Sequence, residues 1–293
     1  MSLHKITLFT GAATALITPF SDGKIDFEVL GNLIELQIDA GISALLVAGT
    51  TGESATLSVR ELYELTTFAK KQIRGRVPLL AGCGSNSTAH AIELAKSACD
   101  GGADALLAVT PYYNKASDRG LLLHYRALAD HATRPLILYN VPSRTGFHLS
   151  MELYRELATH ENIVGVKEAS GDLALLEALC SECGDDLDVW TGNDPQTVAA
   201  MKLGAIGVIS VCANVMPRAM SELCRLCAIG DFHAANQRQR AALPMMQALF
   251  WEVNPIPVKY VASLKGLCAA EYRLPLCAPS PEVSRKLQAL FYQ

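Results

Sequence analysis

Short apolar segments alternate with longer amphipathic segments along most of the chain, and this alternation predicts repeated β/α units. Each short segment is apolar almost without interruption, which is typical of a parallel strand covered on both faces. The eight predicted strands are AATALITP (12–19), ISALLVAG (42–49), VPLLAGCG (77–84), ALLAVTP (105–111), PLILYNVP (135–142), NIVGVKEA (162–169), LDVWTGN (187–193) and IGVISV (206–211).

The longer segments have apolar residues at helical spacing, as in FEVLGNLIELQIDA at 27–40 and RELYELTTFAKKQI at 60–73. Eight such units predict an α/β fold, the (β/α)8 TIM barrel. A doubly wound open sheet is the alternative, but the first strand continues into TPFSDG and carries no GxGxxG turn for a nucleotide. After residue 215 the pattern is helical to the end. We therefore predict a barrel over residues 1–215 and a C-terminal helical extension over 216–293.

Composition and length agree with this prediction. The chain has 293 residues, of which 50% are hydrophobic. A typical barrel of this kind has roughly 250 residues, although length alone would also allow two domains. The net charge of −4 gives no reason to expect nucleic acid or a membrane surface as a partner. No apolar run reaches the ~18–20 residues of a membrane span, and the start MSLHKITLFTG is not typical of a signal peptide. We expect a cytoplasmic protein.

Four of the nine cysteines form two C-x-x-C pairs, Cys180 with Cys183 and Cys224 with Cys227. Such pairs can indicate structural zinc. The gap between them spans residues 184–223, longer than the ~15–20 residues usual in zinc sites. Both pairs also lie in helical patterns, where residues three apart share a face. We expect core packing and no metal.

A lysine in an apolar strand is the strongest chemical signal. Lys167 lies near the end of the sixth predicted strand, and the functional groups of a barrel lie at the C-terminal strand ends. Burial lowers the pKa of a lysine, and a neutral amine is what attacks a carbonyl. An ion pair with Glu168 is the alternative, but adjacent strand residues point to opposite faces. The position therefore favours a Schiff-base nucleophile.

Other polar residues at strand ends could assist such an amine. Tyr139 lies one strand earlier at the same level as Lys167, where a phenol could carry protons. Thr50 and Thr51 follow a glycine after the second strand and could bind a carboxylate, although a simple turn into the next helix is the alternative. Arg144, on the loop after Tyr139, is a fixed cation suited to a second carboxylate or is an ordinary solvated arginine.

Several motifs together resemble one known family. These are GTTGESATL at 49–57, TPYYNK at 110–115, YNVPSRTG from Tyr139 and KEAS from Lys167, and the likeness covers nearly the whole chain. They are similar to the dihydrodipicolinate synthase family, within the N-acetylneuraminate lyase superfamily of class I aldolases. The resemblance implies condensation of pyruvate with L-aspartate-4-semialdehyde on the route to diaminopimelate and lysine.

The resemblance also implies catalytic roles. Lys167 matches the Schiff-base lysine of the family, and Tyr139 matches its proton donor and acceptor. Thr50 matches the threonine of the proton relay. Tyr113 matches the relay tyrosine that enters the active site of the neighbouring subunit. The covalent imine through Lys167 would make a metal or organic cofactor unnecessary.

The remaining matches concern substrates and assembly. Thr51 and Ile209 match residues that contact pyruvate, and Arg144 matches the residue that receives the carboxylate of the semialdehyde. Sialate lyases typically lack an arginine there, so PSRTG favours the synthase. The alternatives are another pyruvate-dependent aldolase, such as N-acetylneuraminate lyase or a 2-keto-3-deoxy sugar acid aldolase, and, more remotely, a non-catalytic barrel that binds a 2-oxo acid or a metal. The family implies a homotetramer built as a dimer of dimers, although some relatives are dimers.

A feedback site for lysine occurs in the family, and this chain matches it only in part. Val59 and Leu62 stand where sensitive enzymes have histidines. His90 stands where they have a glutamate, which would bind the ammonium of the ligand. Loss of that carboxylate predicts weak or absent inhibition by lysine. The matching residues are Ser54, Ala55, Asn86 and Tyr112.

Overall fold

The computed structural model describes residues 7–292 and contains a closed barrel of eight parallel strands. Strands adjacent in sequence are hydrogen-bonded neighbours, and the barrel closes where Gly11 pairs with Gly207. The predicted (β/α)8 barrel is therefore confirmed. The strands are β1 Gly11–Ala15, β2 Ala44–Val47, β3 Leu79–Gly82, β4 Ala105–Val109, β5 Leu136–Asn140, β6 Ile163–Glu168, β7 Asp188–Thr191 and β8 Gly207–Ser210.

Each predicted strand segment overlaps an observed strand, and the observed strands are shorter because the segment ends belong to the connecting loops. Only β1 begins outside its segment, one residue earlier at Gly11. The sequence prediction missed the short antiparallel hairpin of Phe20–Ser21 and Lys24–Ile25, which follows β1. Two-residue strands have no periodicity to detect.

Helices follow the strands and cover the outside of the barrel. The second helix begins at a capping box, in which the Ser58 side chain accepts from the Glu61 backbone N–H and the Glu61 carboxylate accepts from the Ser58 N–H. The ring helices are α1 Phe27–Asp39, α2 Val59–Ile73, α3 Thr88–Asp100, α4 Asp118–His131, α5 Met151–Ala158, α6 Leu173–Glu182, α7 Thr197–Lys202 and α8 Pro217–Ala228.

Three further helices follow the ring, α9 Phe232–Ala248, α10 Ile256–Leu264 and α11 Pro281–Phe291. The predicted boundary at residue 215 assigns α8 to this extension. In the structure α8 packs on β1 and β8, so it completes the eighth β/α unit. Within residues 7–292, no helix combines the length and apolar character that crossing a membrane requires.

The core has two layers, as the alternation of side chains on parallel strands requires. One layer lies between the strands and the surrounding helices. The other fills the inside of the barrel, where the Trp190 ring stacks on Phe9 with centroids 4.7 Å apart. Tyr139 and Ile209 belong to this inner layer. The inner layer therefore forms the floor beneath the C-terminal strand ends.

Candidate active site

A cavity of about 350 Å³ opens at the C-terminal end of the barrel strands. The loop after β2 supplies Thr50, β5 supplies Tyr139, and the short helix after β5 supplies Arg144. Asn254, from the C-terminal extension, completes this part of the wall. The cavity therefore brings together three residues predicted from the sequence with Asn254, which the sequence analysis missed.

Lys167 and Tyr139 are direct partners in the register of β6 and β5. The Lys167 side chain is 5% exposed, and its Nζ lies 4.4 Å from the centre of the Tyr139 ring. Among the described residues Lys167 forms no ion pair. Its amine is therefore desolvated and in contact with the phenol, without a carboxylate that neutralises it directly.

Glu168 is not the partner of Lys167, as strand alternation predicted. Its side chain points to the outer layer, where Oε2 accepts from Asn140 Nδ2 at 2.8 Å and from the Tyr154 hydroxyl at 3.2 Å. Asn140 and Glu168 also pair across β5 and β6. This buried bond joins the two strands one residue beyond Tyr139 and Lys167, so it fixes the register that brings phenol and amine together.

The electrostatic environment lowers the pKa of Lys167 from its ordinary 10.5 to about 8. Burial is the main cause and the Arg144 guanidinium adds to it, whereas the Asp194 carboxylate opposes the shift. Asp194 is 1% exposed, and its Oδ2 accepts from the backbone N–H groups of Val211 and Cys212 at 3.0 and 2.8 Å. Sequence analysis gave this aspartate no role, although it lies in the loop after β7.

Tyr139 is buried, and burial raises the pKa of its phenol. The positive charge of Arg144 and a hydrogen bond with the Thr50 side chain lower the same pKa in part. The phenol therefore stays protonated at neutral pH while it remains bonded to a hydroxyl through which a proton can pass.

Arg144 and Thr51 share contacts with the extension. Arg144 Nη2 donates to the backbone oxygen of Asn254 at 3.0 Å, and Asn254 Nδ2 donates to Thr51 Oγ1 at 3.0 Å. Thr51 is 3% exposed. The two groups proposed to bind carboxylates are thus linked through a single residue that follows α9.

A buried ion pair secures the loop that carries Thr50 and Thr51. Lys259 Nζ lies 2.6 Å from Glu53 Oε1, and both side chains are completely buried. Glu53 Oε2 also accepts from the Arg273 backbone N–H at 3.1 Å. Sequence analysis missed Lys259, although a lysine in the apolar segment of α10 is the same kind of signal that identified Lys167.

Of the predicted site residues, Lys167, Thr51, Tyr113 and Ile209 are not in the wall of this cavity in the single chain. Lys167 and Thr51 contact the wall residues Tyr139 and Asn254, whereas the other two differ in exposure. Tyr113 is 89% exposed and adopts a positive φ of 74°, so its ring projects from the loop after β4. Ile209 is fully buried on β8 in the inner layer that includes Tyr139. The first position is compatible with a contact to another subunit, and the second with the floor of the site.

The same cavity extends toward the residues of the predicted feedback site. Leu62, His90 and Tyr112 line this part, together with Ser54 and Ala55. His90 Nδ1 contacts the Glu93 carboxylate at 3.2 Å on the exposed surface of α3. Among the described lining residues the carboxylate is that of Glu53, which is already paired with Lys259.

The C-x-x-C pairs are parts of helices α6 and α8 and of the turn that ends α6. Cys183, Cys224 and Cys227 belong to the outer core layer, and burial raises the pKa of all three thiols. Over the described part of the chain, no group of three or more potential ligands is arranged around a metal position.

Comparison with known proteins supports a family assignment. The model of the dihydrodipicolinate synthetase family matches residues 8–293. The 4-hydroxy-tetrahydrodipicolinate synthase of Geobacter sulfurreducens is 46% identical over 97% of this chain and 98% of its own. A crystal structure of dihydrodipicolinate synthase from Aquifex aeolicus is 43% identical and has a TM-score of 0.95, with 97% of each chain covered. The chloride-inhibited enzyme of Acinetobacter baumannii, solved with pyruvate, is 41% identical with a TM-score of 0.95 and 98% coverage of both chains.

Proposed function

The chain belongs to the dihydrodipicolinate synthetase family, and we propose how its residues carry out the reaction of the 4-hydroxy-tetrahydrodipicolinate synthases that it resembles. The substrates are pyruvate and L-aspartate-4-semialdehyde, and the pathway is the biosynthesis of diaminopimelate and lysine. The relatives described above are all synthases, so the sugar-acid aldolase alternative has no comparable support. The observation that carries the mechanism is the desolvated Lys167 amine against the Tyr139 ring.

Formation of the imine requires an uncharged amine. With a pKa of about 8, roughly one Lys167 side chain in ten is neutral at pH 7. An ordinary lysine would be neutral in fewer than about one in a thousand molecules. Burial therefore increases the concentration of the nucleophile by roughly two to three orders of magnitude. We propose that this amine attacks the keto carbon of pyruvate, whose carboxylate is bound by Thr51 and whose methyl end contacts Ile209.

Proton transfer is assigned to Tyr139. The attack gives a carbinolamine, and loss of water from it gives the imine; Tyr139 supplies and removes the protons in both steps. Thr50 is bonded to the phenol and passes the proton onward, with Tyr113 of a second subunit as the outer member of the relay. Loss of a proton from the imine then gives the enamine. The imine is the electron sink, so the proposal needs no metal or organic cofactor.

The second substrate meets the enamine at the cavity mouth. Arg144 is exposed enough to bind a carboxylate and is positioned by its bond to the Asn254 carbonyl. We propose that it binds the carboxylate of the semialdehyde while the enamine carbon attacks the aldehyde carbon. The amine of the semialdehyde then displaces Lys167 by transimination, which closes the ring and frees the enzyme.

The assembly and location follow as further proposals. Tyr113 projects away from its own cavity, and the exposed Tyr112, Val253 and Leu274 provide apolar surface. We propose at least a tight dimer that brings Tyr113 to the partner's site, and a tetramer as the full assembly. A cytoplasmic location fits the nine cysteines, all of which are free thiols.

Borohydride trapping tests the proposal. Incubation with pyruvate and borohydride should add one reduced pyruvate to Lys167, detectable by mass spectrometry of the peptide. The trapping rate should rise with pH, reach half of its maximum near pH 8 and level off about one pH unit higher, where nearly all of the amine is neutral. Lys167→Ala should abolish trapping, and the intact enzyme should consume the semialdehyde in a coupled assay. Absence of a pyruvate-dependent mass increase at Lys167 would exclude the mechanism.

A further inference from the structure

Asn254 occupies an unusual position between the extension and the two proposed carboxylate sites. Its Nδ2 donates to Thr51 Oγ1 at 3.0 Å, and its backbone oxygen accepts from Arg144 Nη2 at 3.0 Å. The side chain is 5% exposed and lies in the cavity wall. In the mechanism above the backbone carbonyl of Asn254 positions Arg144, and its side chain has no role.

The direction of the hydrogen bond between Asn254 and Thr51 determines whether the Thr51 hydroxyl can donate to a ligand. A threonine hydroxyl has one proton to donate and can also accept. When Oγ1 accepts from an amide, its own proton is left for another acceptor. Thr51 Oγ1 donates to no other group among residues 7–292, so this proton is available to an anion in the cavity. The amide therefore selects the donor orientation that binding of a carboxylate requires.

Stability does not explain an asparagine here. Asn254 Oδ1 is buried and has no hydrogen-bond partner within the described chain. A buried carbonyl without a donor is unfavourable, and an apolar side chain of the same size would avoid it. Asn214 gives the contrast, because its Oδ1 accepts from the Ile17 N–H and its Nδ2 donates to the carbonyls of Ala15 and Val211.

Both ends of the Asn254–Thr51 bond are fixed by neighbouring contacts. On the loop side, Glu53 is paired with Lys259 of α10 and with the Arg273 backbone. On the extension side, the Arg144 guanidinium bonds to the peptide of Asn254 itself. The amide is therefore held against Thr51 by contacts of both the loop and the extension.

We propose that Asn254 is a positioning residue that orients the Thr51 hydroxyl as a hydrogen-bond donor to the carboxylate of the keto acid. The C-terminal extension thereby sets the geometry of the first substrate site. This inference rests on the proposed function, because it assumes that Thr51 binds pyruvate. It assigns no contact between Asn254 and substrate.

The test measures the pyruvate concentration for half-maximal borohydride trapping, which requires no second substrate. Asn254→Leu should raise this concentration by up to roughly tenfold, since the Thr51 hydroxyl is no longer held as the donor of a charged hydrogen bond to pyruvate. Its melting temperature should stay close to that of the parent, because an unpaired oxygen is removed with the bond. Asn214→Leu is the matched control and should lower the melting temperature by several degrees, since it removes three buried hydrogen bonds to backbone groups.

Two further variants separate orientation from packing. Asn254→Asp can only accept, so Thr51 would donate to it and the trapping affinity should fall at least as far as in Asn254→Leu. In a Thr51→Val background, Asn254→Leu should have no further effect on trapping, because the hydroxyl it orients is gone.

Three outcomes would overturn the inference while trapping at Lys167 still occurs. They are unchanged pyruvate affinity in Asn254→Leu, retained affinity in Asn254→Asp, and additive losses in the double variant. Failure of the parent enzyme to trap pyruvate at all would instead count against the proposed function.

Discussion

Replacing Lys167 by methionine should stabilise the protein while abolishing trapping. Lys167 and Lys259 are the two buried lysines of the described chain, 5% and 0% exposed. Lys259 forms an ion pair with Glu53 at 2.6 Å. Lys167 instead contacts the Tyr139 ring, with its Nζ 4.4 Å from the ring centre. The same substitution at the two positions should therefore change the free energy of unfolding in opposite directions.

The expected size follows from the pKa of Lys167. A lysine whose pKa falls from 10.5 to about 8 on folding destabilises the folded state by about 3 kcal/mol when both states are protonated. This full effect is present below about pH 8. As pH rises from 8 to 10.5 the folded state releases its proton first, so the destabilisation decreases and then disappears. Loss of the attraction to Asp194 in the methionine variant makes about 3 kcal/mol an upper value.

At Lys259 the sign is reversed. Methionine there would leave the completely buried Glu53 carboxylate without its partner. Removal of one member of a buried pair typically costs about 3–5 kcal/mol. The Glu53 carboxylate would keep only its bond from the Arg273 backbone N–H.

Urea unfolding of the parent and both variants, followed by circular dichroism at pH 7 and pH 9.5, measures these differences. Lys167→Met should be more stable than the parent at pH 7 by up to about 3 kcal/mol, and its advantage should be about halved at pH 9.5. Lys259→Met should be less stable at both values. If Lys167→Met were destabilised as much as Lys259→Met, or if its advantage did not depend on pH, the buried Lys167 charge would not be what destabilises the parent.

Further predictions concern substrate, assembly and regulation. Arg144→Ala should leave pyruvate trapping at Lys167 intact. In the coupled assay it should raise the KM for the semialdehyde roughly tenfold or more, since a charged hydrogen bond is lost. Impaired trapping would contradict the assignment of Arg144 to the second substrate. Tyr113→Phe should lower kcat without changing the sedimentation coefficient of the oligomer, and an unchanged kcat would remove it from the relay. Lysine should inhibit weakly, and half-inhibition at sub-millimolar lysine would refute the argument from Leu62 and His90.

The sequence was sufficient to predict the barrel and the candidate residues that lie at the ends of its strands. Lys167 and Tyr139 were found together because both lie near the ends of adjacent parallel strands, and strand register is visible in the apolar pattern. Alternation of side chains likewise separated Lys167 from Glu168. Strand-end loops made Thr50, Thr51 and Arg144 visible candidates, and the cavity contains or adjoins all three.

Other contacts depend on how the extension returns to the barrel, which no local pattern describes. Asn254 lies 203 residues from Thr51 along the chain, and Lys259 lies 206 residues from Glu53. The assignment of α8 to the extension had the same origin, because a helix that completes the ring and a helix that follows it have the same amphipathic pattern.

The two buried lysines show what distinguishes a functional signal from a structural one. Each lysine lies in an apolar segment, and the sequence alone makes them equivalent anomalies. Burial lowers the pKa of Lys259 as well, but its ion pair with Glu53 opposes that shift and gives the buried charge a structural role. A buried lysine without such a partner destabilises the fold at neutral pH, and its retention requires another reason, which the chemistry of a neutral amine supplies. The unpaired oxygen of Asn254 supports the same inference at a second position, because it too is unfavourable for stability and its residue bonds to Thr51, which we propose to bind pyruvate.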